Sequence, residues 1–191
     1  MDTLKSLDFP QRGSKSEIEE GTQLQPKFDA NGLIPCVTQD AESKDVLMVA
    51  FMNDLALSRT IETGDAHYWS RSRGKLWRKG EQSGLTQKVV SLRVDCDQDC
   101  IVLQVRVQGN ACCHVGYRTC FFRELDRHSN ATDFSLRPVQ SEKLFDPTAV
   151  YKKERGFRST AFIERQPLTS RFFLPVRNAV PLHDCLSPFF V

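Results

Sequence analysis

Val89-Val90-Ser91-Leu92-Arg93-Val94-Asp95 alternates apolar and polar residues near a period of two, the pattern of a half-buried β-strand. Extended to its natural limits, this strand is expected over residues 87–96, and the apolar run 101–107 supplies a neighbour. Working outward, Leu33-Ile34-Pro35-Cys36-Val37 and Val46-Leu47-Met48-Val49-Ala50-Phe51 read as two more strands around a polar turn at 40–45. Asn53 is placed to cap a short helix carrying Leu55, Ala56, Leu57 and Ile61, and Gly64 to end it. Short strands follow at 66–70 and 76–79, and a last one at 119–125. The fold expected is mainly β, at the margin of α+β: an antiparallel β domain with one short helix.

That domain spans residues 28–125. Before it, residues 1–27 are rich in Ser, Gln, Glu and Lys without an apolar period, and read as a flexible N-terminal arm. After it come a mixed, polar extension at 126–151 and a Pro- and Phe-containing tail at 152–191, partly disordered or packed on a neighbour. No internal repeat is present.

The 191 residues are 40% hydrophobic and 26% charged, enough apolar material for a real core, which excludes a wholly disordered chain. No apolar run reaches the roughly 18 residues of a membrane span. The polar N-terminus predicts neither secretion nor organelle import, so a cytoplasmic location is expected. A net charge of +2 does not by itself imply a nucleic-acid partner. The seven cysteines are more telling, because five of them fall between Cys96 and Cys120. Without a signal peptide, such a cluster points to metal binding or catalysis before disulfides.

Three segments carry candidate chemistry. In Asp95-Cys96-Asp97-Gln98-Asp99, strand geometry sets Asp95 and Asp97 on one face and Cys96 on the other, with Asp99 rejoining the first face along the strand or through a turn. Three converging carboxylates repel unless a cation sits among them, and hard oxygen donors suit Mg²⁺ or Ca²⁺. In Cys112-Cys113-His114-Val115-Gly116-Tyr117-Arg118-Thr119-Cys120, Gly116 lets the chain fold back so that Cys113 and Cys120 reach one zinc, at about 2.3 Å each. Cys96 is the candidate third ligand, and three ligands plus water is the pattern of a catalytic zinc. His114 is a ligand or a general base. The third segment runs from His67 to Glu81; residues 70–79 hold five positive charges and no negative ones. Arg71 and Arg73 share a strand face there, an arrangement suited to gripping phosphate.

Together these segments resemble the phosphoribosyl-AMP cyclohydrolases of histidine biosynthesis. The resemblance rests on Ala66-His67-Tyr68-Trp69-Ser70-Arg71-Ser72-Arg73, on Leu76-Trp77-Arg78-Lys79-Gly80-Glu81 with Ser83-Gly84 and Gln87, on the acidic motif, and on the motif from Cys113 to Cys120. It covers about residues 30–125, with a further likeness at Phe145-Asp146-Pro147 to Tyr151. It implies an intertwined homodimer in which Cys113 and Cys120 of one subunit and Cys96 of the other bind one Zn²⁺ per subunit. It also implies Mg²⁺ on Asp95, Asp97 and Asp99, and 1-(5-phosphoribosyl)-AMP as substrate, opened in the third step of the pathway. Beside it, the chemistry suggests His114 as the group that moves the proton, and Trp69, Arg71, Ser72, Arg73 and Lys75 as holders of the substrate's purine and phosphates. Cys112 stands where the family usually has a small residue that is not a ligand, and Cys100 extends the acidic motif. No role is assigned to Cys36, Cys100, Cys112 or Cys185. The tail does not resemble the pyrophosphohydrolase domain some relatives carry, so a monofunctional enzyme is expected.

Two rivals score less well. Zinc deaminases want H-x-E and then P-C-x-x-C; Pro35-Cys36 is followed by Val37-Thr38-Gln39-Asp40, and no His has Glu two residues on. The alternative outside enzymes is a zinc-stabilised single-stranded nucleic-acid-binding module, stacking bases on Trp69 and Trp77.

Overall fold

A computed structural model describes residues 5–126 and 134–151; the tail, with Cys185, lies outside the described residues. Along the chain run α1 (Lys15–Glu19), β1 (Ile34–Asp40), β2 (Val46–Met52), α2 (Asp54–Thr63), β3 (His67–Ser70) and β4 (Lys75–Arg78). They are followed by β5 (Gln87–Val94), β6 (Ile101–Val107), β7 (Arg123–Leu125), β8 (Leu136–Pro138) and α3 (Pro147–Val150). Six strands form one sheet in the order β4-β3-β2-β1-β6-β5, and β7 pairs with β8 apart from it.

The mainly β reading holds, but the sheet is mixed. Every neighbouring pair in it is antiparallel except β1 and β6, which run parallel. A hairpin cannot join parallel strands, and here the rest of the sheet serves as the crossover. The sheet also curls. Ala66 N–H donates to Gln87 C=O (2.9 Å), and Val89 N–H to Gly64 C=O (2.8 Å), so the β5 edge meets the segment leading into β3.

Alternation then defines the inside. Ile34, Cys36 and Thr38 of β1 face inward opposite Met52, Ala50 and Met48, beside Ile101, Leu103 and Val105 of β6. Tyr68 and the Ala56–Leu57 face of α2 complete this core. Each large apolar side chain removed from water contributes about 1.5–3 kcal/mol. Asn53 caps α2 as expected, its side chain accepting from Ala56 N–H, and Gly64 closes it. α2 is the one helix between residues 28 and 125, as expected, and α1 and α3 lie outside that span. These are four- and five-residue turns held by caps, Ser14 with Glu17 and Asp146 before Pro147, and too short to carry an apolar period.

Strand boundaries also change, by more than one residue at three places. β1 continues to Asp40. β5 stops at Val94, because Asp95 Oδ1 accepts from the backbone N–H groups of Asp99 (2.9 Å) and Cys100 (3.0 Å), closing a turn in place of the ladder. The strand expected at 119–125 is only Arg123–Leu125, because Thr119 and Cys120 are tied to β2.

Within the segment read as an arm, residues 5–27 contact the sheet domain. Leu7 N–H donates to Ser58 Oγ (2.7 Å), and the Phe9 and Phe28 rings lie 6.5 Å apart. Among the described residues no helix is long and apolar enough to cross a membrane.

Candidate functional site

A bulge in β2 sets the position of one thiol. Thr38 pairs with Met48 but Gln39 pairs with Val46, leaving Leu47 as an extra residue. Leu47 and Met48 are consequently both buried although adjacent in sequence. The bulge carbonyls turn toward the loop after β6: Cys120 N–H donates to Leu47 C=O (2.8 Å), and Thr119 Oγ1–H to Val46 C=O (2.7 Å). The other end of the loop folds back as its sequence predicts. Cys112 and Cys113 N–H donate to Arg118 and Tyr117 C=O, and Gly116 N–H to Cys113 C=O (3.0 Å). Gly116 has φ +101°, and a Cβ there would lie 2.6 Å from Phe145 O, so only glycine fits this turn against the Phe145 backbone.

Cys113 and Cys120 are thereby brought together, and the Cys120 thiol interacts with those of Cys112 and Cys113. Cys36, Cys96, Cys100, Cys112, Cys113 and Cys120 are all free thiols. Beside Cys120, the Cys112 thiol is held below its ordinary value, while hydrogen bonding to Cys112 and then burial push Cys120 far up. Burial raises Cys113. Two further groups steady the loop: Lys79 Nζ–H donates to Cys112 C=O (2.8 Å), and Gln87 Nε2–H to Cys112 Sγ (3.2 Å). The donor set, soft sulfurs on a fixed hairpin, fits zinc.

Cys112 and Cys120 open onto a cleft of about 710 Å³, which Cys113 does not line. Arg73, Lys75, Arg78 and Lys79 line it from the β3–β4 hairpin and the turn beyond, with buried Cys112 and the exposed His114 and Cys120 also lining it and Thr148 and Tyr151 from the α3 region at one side. His114, Arg73, Lys75 and Cys120 therefore meet as the sequence suggests. The rest of the expected substrate set does not join them. Trp69, Arg71 and Ser72 line a separate groove of about 600 Å³ along Val49 and Phe51, bordered also by Arg73 and Trp77. There Arg71 stacks its guanidinium 4.0 Å over the Phe51 ring, and Trp77 packs on Tyr68 with ring centroids 5.1 Å apart. Lys79, Thr148 and Tyr151 had no assigned role; all three lie within stretches quoted for the family resemblance, which is the signal that marks them.

The acidic motif forms its own centre. One ligand oxygen from each of Asp95, Asp97 and Asp99 lies within 4.8 Å of the others, the one such three-residue group among the described residues. The turn after β5 makes them converge, not strand alternation. Lys27 Nζ sits against two of them, 2.9 Å from Asp97 Oδ2 and 3.0 Å from Asp99 Oδ2, so an ammonium already occupies the place of a cation and the carboxylates suit a hard one. Hydrogen bonding to Lys27 holds the Asp97 carboxyl below its usual range. Cys96 is exposed and lines a different groove, against residues 18–19 and 21–24, Leu92 and Val94, not the cleft of Cys112 and Cys120.

The family model for phosphoribosyl-AMP cyclohydrolase matches residues 48–122. A phosphoribosyl-AMP cyclohydrolase of Rhodopseudomonas palustris (strain BisA53) is 56% identical over 147 residues, 77% of this chain and 99% of that protein. One from Nitrobacter hamburgensis is 52% identical over 148 residues, 78% of this chain and 99% of that protein. One from Bradyrhizobium diazoefficiens is 54% identical over 137 residues, 72% of this chain and 96% of that protein.

Proposed function

The chain belongs to the phosphoribosyl-AMP cyclohydrolase family, enzymes of histidine biosynthesis, and from that premise we propose that it hydrolyses the N1–C6 bond of the adenine ring in 1-(5-phosphoribosyl)-AMP. The product is the ring-opened phosphoribosylformimino aminoimidazole carboxamide nucleotide. The observation that carries this assignment to a place is the meeting, in one cleft, of the Cys120 thiol, His114 and a row of four cationic side chains, with the Cys113 thiol interacting with Cys120.

Cys113 and Cys120 would hold zinc, with Cys96 of the partner subunit as third ligand in an intertwined homodimer. The separation of Cys96 from the cleft within one chain supports a ligand supplied from outside. Zinc bound there supplies hydroxide chemistry at neutral pH, by lowering the pKa of a water to about 7. The chain's own groups do the rest. A substrate with two 5′-phosphates meets Arg73 and Lys75, with the buried Lys79 lining the same cleft. N1 carries a ribose phosphate, so C6 is an activated, amidinium-like carbon. Addition of water at C6 and departure of N1 require one proton to leave the water and one to reach the ring nitrogen. His114, exposed at the rim of the cleft, is placed to move it. Asp95, Asp97 and Asp99 would hold Mg²⁺. Trp69, Arg71 and Ser72, in the neighbouring groove, are proposed to meet a distal part of the substrate through Arg73, which borders both. Free thiols at all six described cysteines fit the cytoplasm, the compartment proposed for this step.

The test is the ultraviolet change on adding phosphoribosyl-AMP to purified protein with Zn²⁺ and Mg²⁺, beside a Cys113→Ser control. A rapid change that the control lacks is expected. An equal rate from the control would remove zinc and this hairpin from the reaction.

A further inference from the structure

The acidic triad carries a cation of its own. Lys27 belongs to the segment before β1, seventy residues from Asp97, and its ammonium reaches both Asp97 (2.9 Å) and Asp99 (3.0 Å). Its reach is not a loose surface contact, because its backbone is pinned to the same turn. Lys27 N–H donates to Gln98 C=O (2.8 Å), and Gln25 N–H donates to Gln98 Oε1 (2.7 Å). Gln98 Nε2 in turn donates to Ile18 C=O (3.0 Å) and Gln23 C=O (3.2 Å). Gln98 is buried and takes a positive φ of 58°, a conformation that a residue other than glycine keeps only when its surroundings demand it. Arg12 adds a second tie, donating to Gln25 C=O (2.6 Å) and Asp97 C=O (2.9 Å). The ammonium is therefore delivered to the carboxylates by a short, anchored tether, at a high effective concentration.

A divalent cation entering the triad needs the same oxygens. Two cations cannot share Asp97 and Asp99 at these distances without strong repulsion. We propose that Lys27 is a built-in counter-cation of the acidic triad, which a divalent cation must displace to bind, so that Lys27 sets the cation affinity of the site. This rests on the reading of Asp95, Asp97 and Asp99 as a cation site. The role is one of positioning and tuning: Lys27 keeps Asp97 and Asp99 together while the site waits, and it opposes weakly competing ions. Its side chain is half-exposed, so its replacement leaves the core untouched.

The experiment titrates Mn²⁺, then Mg²⁺, into the full chain by calorimetry, with free Mn²⁺ also counted by electron paramagnetic resonance. Wild type is compared with Lys27→Met, Lys27→Gln, Lys27→Arg and, as the site control, Asp97→Asn with Asp99→Asn. Lys27→Met and Lys27→Gln are expected to bind at least tenfold more tightly than wild type, a change of about 1.4 kcal/mol. Lys27→Arg, which keeps the charge, should stay within threefold of wild type. Binding by Lys27→Met and Lys27→Gln at wild-type affinity or weaker, with the double Asn variant still blind to Mn²⁺, would overturn the role of Lys27 and leave the cation site standing. Identical binding by wild type and the double Asn variant would overturn both.

Discussion

Tyr68→Phe removes a single oxygen from the centre of the domain, and its cost follows from the geometry. Thr38, Tyr68 and Gln87 are fully buried. Thr38 Oγ1 lies 2.7 Å from the phenolic oxygen, and the Tyr68 hydroxyl donates to Gln87 Oε1 at 2.8 Å. Without it, Gln87 Oε1 loses this donor where water does not reach, at a cost of about 1–3 kcal/mol. The ring keeps its place against Trp77, so no large cavity opens. The expected loss is about 2 kcal/mol, a fall in Tm of about 4–8 °C for a domain of this size. Urea unfolding with the slope m unchanged is the assay, since an altered slope would mean a changed unfolded state. The chain of contacts continues from Gln87 Nε2 to the Cys112 sulfur at 3.2 Å. A second consequence is thus a looser thiol loop and weaker zinc retention against a chelator. A loss below about 0.5 kcal/mol, the scale of a neutral surface change, would refute the claim that this buried network is fully satisfied and stabilising.

Gly80 has φ +82°, and a Cβ there would lie 2.4 Å from the backbone of Leu85 and Thr86; Gly80→Ala is expected to cost more than about 2 kcal/mol and to raise KM by shifting Lys79 and Glu81, read by thermal melts and steady-state kinetics. Thr119→Val keeps the shape but removes the donor to Val46 C=O (2.7 Å) and Leu47 C=O (3.1 Å); zinc affinity measured by chelator competition should fall severalfold, with about 1–2 kcal/mol lost in urea. Asp65 pairs with Lys88 and Arg78, and hydrogen bonding from Lys88 comes first in depressing its carboxyl below the ordinary 3.8. A depressed folded value means the contribution is present above pH 3.8 and lost as pH falls through the folded value. Asp65→Asn should therefore be less stable than wild type by about 1 kcal/mol at pH 7, after screening of the exposed cations, and in urea melts the gap should shrink as pH falls below 3.8.

Local pattern made much of this fold legible. The alternation at 89–95 marks β5, and Asn53 with Gly64 marks both ends of α2, because each signal lies within one turn or one pleat of the backbone it controls. The β2 bulge was not legible in Val46-Leu47-Met48, since a run apolar throughout has the same appearance with or without an extra residue. Its consequence, the anchoring of Cys120, is a contact across more than seventy residues. Lys27 escaped for the same reason: nothing near it in sequence points to Asp97. At the site, the spacing of Cys113, Gly116 and Cys120 predicted their hairpin because a glycine turn is a local device. The division of Arg71 from Arg73 was hidden, because it depends on which side of the hairpin tip each side chain leaves, and Phe51 captures the first.

The central claim, a zinc site completed between two chains, is tested most directly by complementation. Cys96→Ala and Cys113→Ala chains, each inactive alone, are mixed in equal amounts, unfolded, and refolded together with Zn²⁺ and Mg²⁺. Random pairing makes half of the dimers mixed, and each mixed dimer rebuilds one of its two sites, so about a quarter of wild-type ring-opening activity is expected. Mixed dimers shown to be present and yet devoid of activity would contradict a shared site.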